Sequence, residues 1–323
     1  MRVVLVNHYG PPENAVVSEA PMPEARAGEV VVRVEAAAVT AGDARIRAGR
    51  FPKGFGVLAR AAIGVSGPRA RVLGAAFSGK VEHIAADVTQ FSPGDEVVGM
   101  TGARLGAHAE YVRARAATLV RKPAEVPHTD AAGILFGGTT ALHFLSDRAH
   151  VTAGNTVLVN GASGAVGSAA VQLAKHFGAT VTAVTSERNA DLAVRLGADR
   201  VIDYAKTPVA MLEDRFDIVF DAVGNVSRDD GLRLLVPGGS LILAVASLID
   251  TIRARGQVFA GPAPERREHF ALLLNLVAGG QLDPLTEVLS GLESVQEAHR
   301  LIDTGRKIGN LVVLPHAGHD AAP

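Results

Sequence analysis

Val159 to Lys175 reads VNGASGAVGSAAVQLAK. The apolar run TVLVN leads into small residues and then into a helical pattern. The spacing Ala162-x-Gly164-x-x-Gly167 is the dinucleotide fingerprint with alanine at its first position. Glycine at 164 lets backbone come close to a pyrophosphate, and glycine at 167 lets the helix lie close to the sheet. The helix start offers free N–H groups and the positive end of its dipole to phosphate. A glycine turn by itself is also a packing device. Here a strand precedes it, a helix follows, and a second strand begins near Val181, which is the context of a nucleotide-binding βαβ unit.

Working outward, strands and helices alternate after Lys122-Pro123. HTDAAGILFGGTTALHFLSDRA reads as helix, with Thr129 or Asp130 as N-cap. TVLVNG, TVTAVTS, RVIDY, DIVFDAVG, LRLLVPGG and SLILAVA then follow with helical patterns among them, which predicts a doubly wound parallel sheet. Upstream, VVLVN, EVVVRVEAAAV, GKVEHI and DEVVGM are short Val-rich runs between Gly and Pro signals, so that half reads as β-rich. Phe51 to Arg71 reads as a long loop with some helix, and loops of that length inside a domain tend to be functional. Beyond Gly261 come two helical patterns and a last strand, NLVVLP. About 60 residues are few for an independent core, so this part is expected to return to the first domain. The expected division is 1–124 with 262–323 as one domain, and 125–261 as the nucleotide domain.

A chain of 323 residues exceeds the usual single-core size, which agrees with two domains. With 32 basic and 33 acidic residues there is no basic excess to hold nucleic acid by its phosphates. Cysteine is absent, which removes disulfides, thiolate catalysis and cysteine metal sites. The apolar runs are strand-length and broken by charge, so no membrane span is expected. The start of the chain is too short in apolar residues for a signal-peptide core. The expected location is cytoplasmic.

The end of the second strand bears on which dinucleotide binds. An acidic residue there would hold the ribose 2′-OH of NAD. This chain has Thr185 and Ser186, then Glu187 and Arg188. A hydroxyl and a guanidinium suit a 2′-phosphate, so the reading is NADPH (NADP). Glu187 keeps NAD open if its side chain turns toward the ribose.

GASGAVGSAAVQLAKHFGATVTAVTSERN, followed by LGADRVIDY and FDAVG, resembles the medium-chain dehydrogenase/reductases, nearest to their zinc-free quinone oxidoreductase and enone reductase branch. The resemblance extends through GPPE, AAAVTAGDARIRAG, VLGAAFSGKVEHIAADVTQFSPGDEVVGMTG, TTAL and GRKIGNLVVLP. It implies an α/β protein with a GroES-like β-rich catalytic domain plus a doubly wound Rossmann domain. Nicotinamide and substrate would share the cleft between them, and the assembly would be a homodimer or homotetramer. It implies that Ser163, Gly164, Ala165 and Val166 contact the pyrophosphate. Ser186 and Arg188 would face the adenosine phosphate, with Tyr204 close by. Val223 would lie by the nicotinamide ribose and Thr140 on the nicotinamide side. Gly309 and Asn310, where the family often has Gly-Lys, would also lie near the cofactor. The competing readings are a sheet-edge cap for Tyr204 and an ordinary helical threonine for Thr140.

Zinc-dependent relatives place Cys where this chain has Thr40 and a His-Glu pair where it has Ala75-Ala76. Alanine cannot ligate zinc, and the histidines are scattered, so no metal is expected. Simple alcohol oxidation, which leans on a Lewis acid, is then not expected either. Zinc-free relatives often carry Asn at the Thr40 position and an acidic residue at that of Ala76. The implied reaction is hydride transfer from NADPH to a small, mainly apolar quinone or α,β-unsaturated carbonyl compound. Phe136 and the Phe51–Arg71 loop would wall its pocket. Charge gathers on the acceptor oxygen, and Thr40 is the candidate catalytic donor to it, with solvent protonating carbon. Asp43 reads first as an anchor for backbone or for Thr40. A short-chain dehydrogenase needs Tyr-x-x-x-Lys, but Tyr9, Tyr111 and Tyr204 are followed by Glu13, Arg115 and Pro208. A methyltransferase should end its second strand on an acid, and Thr185 disagrees. Two alternatives stay open: a trans-acting enoyl reductase or tailoring enzyme of a biosynthetic pathway, and a non-catalytic NADPH-binding structural or sensor protein.

Overall fold

The computed structural model describes residues 1–317. The Val-rich first part forms strands because β-branched residues pack well on pleated surfaces. β1 (Arg2–Val6) and β2 (Ala15–Glu19) form an antiparallel hairpin. β3 (Glu29–Val39) leads to α1 (Ala41–Ala48) and α2 (Gly56–Ile63). β4 (Ala76–Ile84), β5 (Glu96–Met100), β6 (Tyr111–Arg115) and β7 (Leu119–Arg121) follow. β3 pairs antiparallel with both β4 and β6, so both its edges are covered and its valines are buried.

α3 (His128–Leu142) opens the second part. It starts directly after Pro127, which extends the chain into the helix without a side-chain cap, so Thr129 and Asp130 fall in the first turn. The helical run then widens into i→i+5 turns over His143–Arg148. β8 (Thr156–Asn160), α4 (Ala165–His176), β9 (Thr180–Thr185), α5 (Ala190–Arg195) and β10 (Arg200–Asp203) come next. After them run β11 (Phe216–Asp221), α6 (Arg228–Arg233), β12 (Leu235–Leu243), α7 (Leu248–Ile252) and β13 (Val258–Ala260). Residues 235–239 of LRLLVPGG and 240–243 of SLILAVA, which read as separate runs, share β12, because the ladder with β11 shifts register across the Pro-Gly-Gly; Leu232 and Arg233 end α6.

These strands form a six-stranded parallel sheet in the order β10-β9-β8-β11-β12-β13. Counted from β8, this is the Rossmann order, in which the direction of winding reverses between β8 and β11. The crevice beyond the carboxyl ends of those two strands is where such sheets bind ligands.

α8 (Arg267–Ala278), β14 (Thr286–Ser290), α9 (Val295–Asp303) and β15 (Asn310–Leu314) complete the described chain. β15 pairs antiparallel with β3, Leu311 facing Val39, and parallel with β14. The last part therefore returns to the first sheet and makes it seven-stranded. Residues 318–323 of the expected first domain lie outside the described residues.

α3 lies between the two sheets, and its glycines set how closely it does so. A Cβ on Gly133 would come within 3.0 Å of Thr286 Oγ1, and one on Gly137 within 2.3 Å of the Ala165 carbonyl. The helix thus touches β14 on one side and the start of α4 on the other. Among the described residues no helix is long and apolar enough to cross a membrane.

Candidate active site

A cleft of about 790 Å³ opens between the two sheets. Its floor on the six-stranded side is the glycine turn. Gly161 has φ +83, and a Cβ there would lie 2.5 Å from Val223 Cγ2. A Cβ on Gly167 would lie 2.1 Å from the Gly161 carbonyl, so α4 can seat against β8 only with glycine at 167. Gly164 differs: a Cβ there would meet only the Gly161 carbonyl, at 3.7 Å, and Gly164 otherwise faces the cleft. The Ser163 hydroxyl accepts from Thr185 Oγ1 at 3.1 Å and from Asn189 Nδ2 at 3.0 Å, which ties the turn to the end of β9.

The two central strand ends are locked together. Asn160 Nδ2 donates to Asp221 Oδ1 at 2.9 Å and to Asn225 Oδ1 at 2.7 Å. The Asp221 carboxylate in turn accepts from the N–H groups of Val223, Gly224 and Val226. This holds the loop carrying Val223 at the rim of the cleft.

At the end of β9, Ser186, Arg188 and Tyr204 line the cleft. Ser186 Oγ is buried without a hydrogen-bond partner among the described residues. Glu187, by contrast, is not a wall of the cleft. It is 73% exposed and paired with Lys206 Nζ at 2.6 Å. The carboxylate that kept the 2′-OH reading open therefore points away, while an orphaned hydroxyl and a guanidinium remain. With the open face of Gly164, this donor set fits a dinucleotide that bears a 2′-phosphate.

The opposite wall comes from the other sheet. Thr40 is the N-cap of α1 and forms a capping box with Asp43. Its hydroxyl donates to Asp43 Oδ2 at 2.6 Å and accepts from the Asp43 N–H at 3.2 Å. Asp43 Oδ1 accepts from the Gly74 N–H at 3.0 Å, so Asp43 anchors backbone as well as Thr40. Phe51, Pro52, Phe136 and Val245 give this end its apolar lining. The Lys53 carbonyl accepts from the Leu248 N–H at 2.9 Å, which joins the two lobes across the mouth. The rest of the expected loop wall, residues 53–71, does not line the cleft, and its helix α2 buries nothing.

Two expected residues do not line the cleft. The Thr140 hydroxyl donates back along α3 to the Phe136 carbonyl at 2.8 Å. Gly309 acts through its backbone: its N–H donates to the Ser163 carbonyl at 2.9 Å, and it forms a bridge with Gly164. Asn310 lines the cleft, but its amide donates to the Pro284 carbonyl at 2.6 Å.

Other residues here were not singled out from sequence: Arg45, Asn160, Asp221, Asn225 and Lys307. Lys307 lines the cleft, donates to the Gly309 carbonyl, and is pushed down to about 8 by burial. An Asp at a strand end had a possible signal in FDAVG. Lys307 had none, because only the fold brings it beside the glycine turn. His108 and His299 are core histidines, buried with rings 6.3 Å apart.

The residues at the family's zinc position do not fit that metal. Ala76 is a fully buried methyl, Ala75 adjoins it, and the Thr40 hydroxyl is engaged by Asp43.

A parallel sheet in Rossmann order with a glycine turn at its switch point defines a dinucleotide-binding α/β protein, here joined to a GroES-like β-rich domain. Residues 26–124 match the alcohol dehydrogenase GroES-like domain, and residues 165–251 match the family described as zinc-binding dehydrogenase. The chain is 29% identical over 339 residues to the chloroplastic quinone-oxidoreductase QR1 of Triphysaria versicolor, covering 98% of each. It is 28% identical to the chloroplastic NADPH-dependent alkenal/one oxidoreductase of Arabidopsis thaliana, across 91% of this chain and 74% of that one. Among solved structures, the quinone oxidoreductase of Coxiella burnetii superposes with a TM-score of 0.86 at 28% identity, covering 97% of this chain and 99% of its own. This chain belongs to the medium-chain dehydrogenase/reductase superfamily, in its zinc-free quinone oxidoreductase and enone reductase branch, and is an oxidoreductase.

Proposed function

We propose that this protein transfers hydride from NADPH to a quinone or an α,β-unsaturated carbonyl compound, independently of zinc. One observation carries the reading: a single cleft joins the glycine turn and the unpartnered Ser186 hydroxyl to Thr40, Phe51 and Phe136. NADPH, when bound, supplies the hydride. The backbone of Ser163, Gly164, Ala165 and Val166 holds the pyrophosphate. Ser186, Arg188 and Tyr204 take the adenosine phosphate, and Val223 shapes the ribose site. Gly309 and Asn310 hold the C-terminal return against the turn. Thr140 supports the nicotinamide side through α3, since its hydroxyl is committed to Phe136.

Phe51, Pro52, Phe136 and Val245 exclude water from a flat conjugated acceptor. Thr40 is the proposed donor to the acceptor oxygen. To act so, its proton turns away from Asp43 Oδ2, while the Thr40 N–H keeps its own 2.8 Å bond to that oxygen. Solvent then protonates the α-carbon of an enone, or the oxygen of a quinone to give the hydroquinone. The domain division at 124 and 261 is part of the same proposal, supported by the two separate sheets. So is a cytoplasmic homodimer or homotetramer, which rests on family resemblance.

The test compares NADPH with NADH oxidation on a panel of enones and quinones. NADPH is expected to be preferred, and Arg188→Ala should raise the KM for NADPH several-fold without changing that for NADH. Equal use of the two coenzymes, or no reduction of any acceptor, would overturn the reading.

A further inference from the structure

α1 turns one stripe toward the cleft. Ala41, Ala44, Arg45 and Ala48 line it, at the spacing of one helix face. Arg45 is the only long side chain of that stripe and is half-buried among its alanine neighbours. Arg47, two positions on, faces the other way. It is fully buried, donating to the Gly10 carbonyl at 2.6 Å and to Asp303 Oδ2 at 2.7 Å. Arg50 is 71% exposed and lies 4.0 Å from Asp303.

The Arg45 side chain has no hydrogen-bond or ion-pair partner among the described residues, and burial lowers its pKa with no carboxylate acting in the other direction. Among the described residues two acids line the cleft, Asp230 and Asp303. Asp303 is engaged by Arg47, and Asp230 accepts from the Ser227 hydroxyl on the other lobe. Arg45 is half-buried in the cleft wall, and a guanidinium there without a counter-charge is free to pair with an anionic ligand. The capping box and the Asp43–Gly74 bond fix α1, so the base of this side chain is held in place.

We infer that Arg45 anchors a carboxylate on the acceptor, so that the substrate is an enone or quinone with an apolar conjugated body and an anionic end. The coenzyme phosphates have their own partners on the six-stranded side, whereas Arg45 shares its wall with Thr40 and Phe51. A planar guanidinium matches a carboxylate with two parallel hydrogen bonds. This inference rests on the reading of the cleft as a reductase site.

The test uses pairs of straight-chain enones of increasing length, ending either in methyl or in carboxylate, beginning with 3-penten-2-one and 4-oxo-2-pentenoate. At one or more lengths the carboxylate twin should have a kcat/KM at least about tenfold higher, within the reach of one charge-assisted pair. Arg45→Met should bring that ratio to within about twofold, and Arg45→Lys should restore part of it. A methyl twin equal or better at every length overturns the inference. So does a carboxylate preference that survives Arg45→Met, or a variant that raises the NADPH KM and leaves the ratio unchanged. Calorimetry with 4-oxopentanoate on the NADP-loaded protein separates the two readings. Binding that Arg45→Met abolishes supports the anchor even if no enone is reduced. Reduction of neutral enones without carboxylate binding leaves the reductase standing and removes the anchor.

Discussion

Gly164 and Gly167 stand three residues apart in one turn, yet alanine at each should do opposite things. At 167 the new Cβ meets three backbone atoms, the nearest at 2.1 Å. Backbone cannot swing aside, so α4 must retreat from β8 by roughly an ångström or more. Overpacking of this kind costs about 1–3 kcal/mol, and Tm should fall by several degrees. At 164 the backbone is extended, with φ −81 and ψ 173, and the nearest atom is an ordinary contact at 3.7 Å. Alanine is a poorer N-cap than glycine by some tenths of a kcal/mol. Its stiffer unfolded chain returns about 0.4–1 kcal/mol. Stability should therefore change by less than about 1 kcal/mol. The methyl, however, stands where backbone must approach a pyrophosphate, so NADPH should bind at least about tenfold more weakly, or about 1.4 kcal/mol. Thermal unfolding and titration by NADPH fluorescence, on both variants and the parent, give the two readouts. A Gly164→Ala protein that keeps its Kd within twofold would refute the placement of the coenzyme. So would equal losses of stability and affinity in both variants.

Two further outcomes depend on pH. Lys307, held down to about 8 by burial in the cleft wall, loses its charge as pH rises through that value. NADPH affinity should weaken above about pH 8, and Lys307→Met should bind several-fold more weakly at pH 7 with a flatter profile; superimposable pH profiles would rule this out. His299 is buried and lowered to about 3, chiefly by desolvation and then by the charge of His108. The unfolded chain takes up that proton near its ordinary value while the folded chain does not, so stability is complete above about pH 6.5 and falls as pH drops toward 3. At pH 4 the loss is on the order of 3 kcal/mol. Urea unfolding at pH 7, 5 and 4 should show His299→Leu with a shallower acid limb, and identical slopes in the two proteins would sink the argument.

Much of the nucleotide half is legible in the chain. The strand–turn–helix around Gly164, the alternation after Lys122 and the second-strand end at Ser186 are local patterns, and the fold keeps them. The start of α3 was less legible, because Pro127 opened the helix without the side-chain cap that Thr129 and Asp130 suggested. The break expected at Pro237-Gly238-Gly239 became a register shift inside β12, since neighbouring strands on both sides hold it in the sheet. In the site, Thr140 has the right residue type in the right motif, but its hydroxyl is taken up by its own helix. Thr40 lines the cleft, and Asp43 holds both it and the Gly74 backbone, the anchoring role that AAAVTAGDARIRAG suggested for Asp43.

What residue order settles is whatever depends on a few neighbouring bonds. A missing Cβ at 164 and 167, the two-residue period of the valine strands and the lack of any cysteine are properties of the chain before it folds. What only the folded chain settles is where each charge finds its counterpart. Arg45 and Arg47 sit two residues apart, yet one reaches Asp303 across 256 positions and the other faces an open cleft. Glu187 turns to Lys206 and leaves Ser186 unpartnered. Coulomb and hydrogen-bond energies depend on distance in space, and those distances are set by the packing of remote segments.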